Sequence, residues 1–154
     1  MTTLFALLAA LQLFIFGPEK VPPQIADAVT RAGITATVSI ADQRMYVVVI
    51  DAMGLKKTYA WKVSTGKDGF ETPTGDFQPT RVAAEYYSKT YDNAPMPHAV
   101  FFTGGYAVHA TEAVGKLGAP ASHGCVRLAP ENAAMFFDLV EAFGTRNTRI
   151  AVKA

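Results

Sequence analysis

Cysteine occurs once in the 154 residues, tryptophan once and histidine three times. Charge of neither sign prevails, with 14 Lys and Arg against 13 Asp and Glu and a formal net charge of +1. Each shortage excludes something. One cysteine rules out an internal disulfide, and so few Cys and His leave room for a single metal site at most. The near-neutral balance offers neither the basic footprint of a nucleic-acid binder nor an acidic solvating tail. Charged residues make up only 18% of the chain and hydrophobic ones 50%, which excludes intrinsic disorder. No internal repeat, low-complexity tract, Cys-x-x-Cys pair or His-Glu-x-x-His motif is present. The length suits one domain with a sizeable core. Within it the lone thiol, Cys125, needs an explanation.

The first 18 residues lack any charged side chain, and Leu4–Phe16 is apolar at every position but Gln12. A helix of that length spans about 20 Å, short of the roughly 30 Å hydrocarbon core but suited to a secretory h-region. No Lys or Arg precedes the run, and Ala26-Asp27-Ala28 comes late for a cleavage site. Residues 1–17 therefore read as an export signal or a membrane tether through 4–16, against the alternative of an apolar helix packed on the domain. Gly17-Pro18 and Pro22-Pro23 punctuate a linker over 18–34.

Residues 35–154 read as a β-rich α+β domain. Thr37–Ile40, Met45–Ile50 and Lys57–Ser64 alternate or are β-branched, with turns at Ala41-Asp42-Gln43 and Asp51–Gly54, so they predict an antiparallel meander. Gly66–Phe77 carries three glycines and Pro73 and reads as turns. Residues 80–97 are poorly patterned and read as a long surface excursion, either a functional lid or a plain connection with aromatics beneath it. Ala99–Phe102 and Tyr106–His109 flank Thr103-Gly104-Gly105, a hairpin signal. Pro130–Phe143 predicts the one main helix, with Ala133, Phe136, Phe137, Val140 and Phe143 on one stripe and Gly144 after its end. Thr148–Val152 closes as a strand.

The chemistry-bearing run is Ser122-His123-Gly124-Cys125-Val126-Arg127, with His109 sixteen residues before the cysteine. A thiol at neutral pH is only a few per cent thiolate, and a neighbouring imidazole or cation raises its reactivity. In an extended segment His123, Cys125 and Arg127 share a face. Gly124 lets a substrate approach the backbone. A lone cysteine is ordinarily a buried, inert hydrophobe. Two of three histidines around it, and a Gly/Pro-rich loop before it, point instead to a nucleophile.

The run Ser122–Arg127 with His109 upstream resembles the signature of the L,D-transpeptidase catalytic domain family, also called YkuD-like. Thr72-Pro73-Thr74-Gly75-Asp76-Phe77, the Phe-Phe-Thr-Gly-Gly-Tyr run within Met96–Ala110, and Leu117-Gly118 extend the resemblance over roughly residues 35–152, and it implies a mainly β fold of mixed or antiparallel sheets in a sandwich-like arrangement with one main helix near the C-terminus. It implies Cys125 as nucleophile and His109 as its base, with the imidazole oriented by the Ala110 carbonyl. It further implies that His123 and Gly124 shape the pocket and that the Gly124 and Cys125 amides are candidates for an oxyanion hole. Ser122 is expected to make a local side-chain-to-backbone bond. Tyr106 and Arg127 are expected to bind substrate, Arg127 through a substrate carboxylate or by holding the loop, with an ordinary structural ion pair as the alternative.

The implied reaction is attack on the amide before the terminal D-alanine of a peptidoglycan stem tetrapeptide. A thioester forms, and the amine of a second stem resolves it into a cross-link between third-position residues. With water as acceptor the same site is an L,D-carboxypeptidase. No cofactor and no metal are implied, and the partners are donor and acceptor stem peptides rather than nucleic acid. The location is then the periplasm or cell envelope. Two other classes remain open from the residues: a zinc site of Cys125, His109 and His123, and a non-catalytic wall-binding module.

Overall fold

The computed structural model describes residues 20–154. The apolar run at 1–17, including 4–16, lies outside the described residues. Among those described, no helix is long and apolar enough to cross a membrane.

Among the described residues, nine strands form two mixed sheets. The meander expected from alternation is present as β1 (Gly33–Ser39), β2 (Arg44–Ile50) and β3 (Lys56–Lys62), paired antiparallel in sequence. The last strand, β9 (Thr148–Lys153), runs parallel to β1 and carries the short β4 (Gly75–Phe77) on its other edge. The second sheet has the order β5-β6-β7-β8. It contains β5 (Arg81–Ala83), the hairpin β6 (Ala99–Thr103) and β7 (Tyr106–Ala110), and β8 (Val126–Leu128) parallel to β7.

One core holds the layers together. Inward positions of the first sheet (Ile34, Ala36, Val38, Met45, Val47, Ile150) meet those of the second (Val100, Val108, Val126, Leu128). The buried stripe Ala133, Phe136, Phe137 and Val140 of the main helix packs into the same core. In chain order this helix is α2 (Pro130–Phe143); α1 is the four-residue turn Pro23–Ala26. Pro130 opens α2 without wasting an amide, and Gly144 ends it at φ 84° with its N–H bonded to Val140 O.

Three readings of the sequence are corrected. Residues 75–77, read as turns, form β4, and residues 81–83 within the excursion form β5. Both are three-residue edge strands, too short to show a period. The described part of 18–34 is more than a linker: Val21, Ile25, Ala26 and Val29 cover Tyr46, Val48 and Ile50 on the outer face of the first sheet. Those β2 residues alternate with core positions on a nearly continuous apolar strand, so the outer face also needs a cover.

Candidate active site

The parallel pairing of β7 with β8 places the candidate residues. Val108 is in register with Val126 and His109 with Arg127. Val108, Ala110, Val126 and Leu128 turn into the core, so the alternate positions His109 and Arg127 turn to the other face, toward which Cys125 also falls. That face opens into a cleft of about 950 Å³. His109, Cys125, His123, Ser122, Arg127 and Tyr106 all line it. The far wall comes from the 80–97 excursion, through Ser88 to Pro97.

His109 is buried, and its Nδ1 lies 2.7 Å from Ala110 O. A carbonyl only accepts, so Nδ1 carries the proton and Nε2 is left as the basic nitrogen. Burial drives the His109 pKa down to about 4; the Ala110 carbonyl opposes this and the Arg127 charge adds to it. Cys125 is partly buried, and burial raises its thiol pKa, against the pull of the Ala107 backbone and of Arg127. The two groups therefore rest as a neutral thiol and a neutral imidazole.

The loop before the nucleophile is held from inside. Ser122 is fully buried; its Oγ donates to Cys125 O at 2.6 Å and accepts from Gly124 N–H at 3.0 Å. The local bond expected of Ser122 is thus present. It also corrects one expectation: the Gly124 amide is committed to Ser122, which leaves the Cys125 amide as the donor of that pair. Gly124 has φ 114°, and a Cβ there would run into the edge of the Tyr106 ring. Only glycine meets both conditions. Tyr106 therefore packs under the loop as well as lining the cleft.

Arg127 extends β8, with its amide and carbonyl bonded to Ser64. Among the described residues no ion pair or hydrogen bond engages its guanidinium, so a structural ion pair does not account for it. Its positive charge faces the cleft. Also among the described residues, no three His, Cys, Asp or Glu are gathered as for a metal ion, so Cys125, His109 and His123 do not converge as zinc ligands. The His123 ring is instead sandwiched, stacked on Tyr91 at 4.5 Å and edge-on to Phe70 at 4.7 Å.

Sequence reasoning missed the residues that brace this loop from a distance. Thr65 O accepts from the Ala121 and Ser122 amides, and Thr65 is fixed by buried Gln43. Gln43 donates to Thr65 Oγ1 at 2.6 Å and accepts from Thr65 N–H at 3.0 Å. Thr72 Oγ1 accepts from Gly66 N–H, while Lys67 N–H donates to Ser122 O. The only sequence signal for them is a polar residue, Gln43, in a turn between two apolar strands.

A family model described as the L,D-transpeptidase catalytic domain (YkuD) matches residues 34–152. Among solved structures, an L,D-transpeptidase from Mycobacterium smegmatis is 31% identical with a TM-score of 0.66, covering 80% of this chain and 59% of that one. An L,D-transpeptidase in complex with imipenem is 26% identical, TM-score 0.65, over 79% and 59%. One from Stackebrandtia nassauensis is 25% identical, TM-score 0.67, over 80% and 57%. The chain thus spans just under three fifths of the length of these relatives. No curated protein sequence matches it.

Proposed function

The chain belongs to the L,D-transpeptidase catalytic domain family, and on that premise we propose that it is a cysteine-dependent L,D-transpeptidase acting on peptidoglycan stem tetrapeptides. The observation that carries this reading is the pairing, in one cleft, of the Cys125 thiol with a His109 whose Nδ1 is pinned to Ala110 O at 2.7 Å. The imidazole is held in the tautomer that leaves Nε2 free to take a proton.

The neutral resting pair sets the order of events. With His109 near 4 and the thiol raised, a thiolate–imidazolium pair is not formed in advance. The thiol proton passes to Nε2 as sulfur bonds to the carbonyl carbon between the third stem residue and the terminal D-alanine. The Cys125 amide receives the developing oxyanion, a contribution of ~3–4 kcal/mol per donor in comparable sites. The C–N bond then breaks, D-alanine leaves with the proton from His109, and a thioester remains. An amine of a second stem resolves it into a cross-link between third-position residues. Water as acceptor makes the same site an L,D-carboxypeptidase. Arg127, which lines the cleft, offers a bidentate fork to a substrate carboxylate. The substrate lies outside the cytoplasm, which places the chain in the periplasm or cell envelope, with residues 4–16 as export signal or tether.

The test is incubation with a disaccharide-tetrapeptide and mass analysis of the products. Loss of D-alanine with a cross-linked dimer supports the transpeptidase, and tripeptide alone supports the carboxypeptidase. An unchanged tetrapeptide overturns both.

A further inference from the structure

The Ala110 carbonyl orients His109, yet a carbonyl at such a place in a sheet is ordinarily taken by the neighbouring strand. Ala110 N–H donates to Pro97 O at 2.9 Å, so the amide and carbonyl of Ala110 face the β6 side. Two residues that face each other in this way across an antiparallel ladder exchange both bonds. The amide of residue 97 would therefore return to Ala110 O, but proline has no N–H to return. The reciprocal bond cannot form, and His109 Nδ1 lies on that carbonyl instead, at 2.7 Å.

Regular pairing would not bring the proline there. Val100 pairs with Val108, and the same register carried two residues on would set His98 opposite Ala110. His98 instead takes the left-handed conformation, at φ 52°, and turns its amide away to Ala84 O at 2.8 Å. Ala84 directly follows β5, the strand on the other edge of β6. A residue with a side chain adopts that conformation at a cost. Here it slips the strand by one position, as a β-bulge does, beside the candidate catalytic histidine. Packing holds the step on both sides. The His98 ring lies edge-on to Phe137 of α2, 5.5 Å between centroids, and Met96 N–H donates to Tyr86 O at 2.7 Å.

We propose that Pro97 and His98 are positioning residues for His109: His98 slips the strand, and Pro97 then faces Ala110 without an amide, which reserves the Ala110 carbonyl for the imidazole. Pro97 also lines the cleft, but this role is exerted through Ala110 and not through substrate. The reserved carbonyl keeps Nδ1 protonated and Nε2 free. It also works against burial in setting the basicity of the ring. The inference rests on His109 as the base of the proposed reaction, whereas the state of the ring nitrogens can be read without turnover.

The experiment is Pro97→Ala, which supplies the missing amide. The ring nitrogen resonances of His109, assigned by their loss in His109→Gln, are recorded at neutral pH for the full chain and the variant. Both are also assayed for kcat and KM on disaccharide-tetrapeptide. The parent should show the Nδ1-protonated tautomer. In Pro97→Ala the two nitrogen resonances should move toward each other as the tautomers mix. Its kcat should fall about five- to tenfold, the worth of one hydrogen bond, with KM little changed. His98→Val, which resists a positive φ, should act in the same direction, and His98→Asn, which tolerates it, should recover most of the loss. A proline that merely braced the cleft wall would raise KM on substitution and leave the ring nitrogens as in the parent. That result overturns the proposal, and so does a mixed or Nε2-protonated ring in the parent. If no stem peptide is turned over, the proposed function fails, and the ring nitrogens of parent and Pro97→Ala still decide the positioning role.

Discussion

Acidification of the folded chain should expose the cost of keeping His109 neutral. Its pKa falls from 6.5 to about 4 in the fold, chiefly because the ring is buried. Between those values the unfolded chain binds a proton at this residue and the folded chain does not, so stability is lost as pH falls below about 6.5 and the loss levels off below about 4. A shift of that size amounts to roughly 3 kcal/mol in full, of which about 2 kcal/mol should already be gone at pH 5 relative to pH 7.5. Urea unfolding reads this directly, as a drop of about 1 M in midpoint at ordinary slopes. Other groups titrate over the same range, so the comparison is with His109→Gln, which carries no proton to gain. The variant should lose about 2 kcal/mol less than the parent between pH 7.5 and 5. Parallel pH profiles for the two proteins would refute the reasoning. So would a His109 ring that proves protonated in the folded protein at pH 5.5.

Two further predictions follow from the loop around the nucleophile. Gly124→Ala places a side chain at φ 114° and against the Tyr106 ring; it should cost about 1–3 kcal/mol and slow alkylation or acylation of Cys125, whereas unchanged stability and thiol reactivity would contradict the packing described. Gln43→Ala removes the side chain that fixes Thr65 through bonds of 2.6 and 3.0 Å. It leaves a buried Thr65 amide unpaired, so a loss of about 3 kcal/mol is expected in denaturant unfolding, with a loss of activity at temperatures where the variant remains folded.

Much of the frame could be read locally. The meander Gly33–Lys62, the Tyr106 hairpin and helix α2 each carry their own period and punctuation within one continuous stretch of chain. The ordered set of His109, Ser122, His123, Gly124, Cys125 and Arg127 likewise stands in the chain as a motif, and the structure gathers all of it but Gly124 along one cleft. What was not legible depends on contacts distant in sequence. Strand β4 exists because β9 offers it an edge, and β8 because β7 does. Gln43 and Thr65 are 22 residues apart, and Phe70 reaches His123 from a loop that has no periodic pattern at all. The commitment of the Gly124 amide depends on the direction of one hydroxyl, which no spacing encodes.

If Cys125 carries the acyl group, the intact mass of the protein records it. A disaccharide-tetrapeptide, the proposed substrate, serves as the acyl donor. A single covalent adduct is expected that maps to Cys125, forms more slowly in His109→Gln and is absent in Cys125→Ala. An adduct of equal yield in Cys125→Ala, or D-alanine release that persists in that variant, would contradict it.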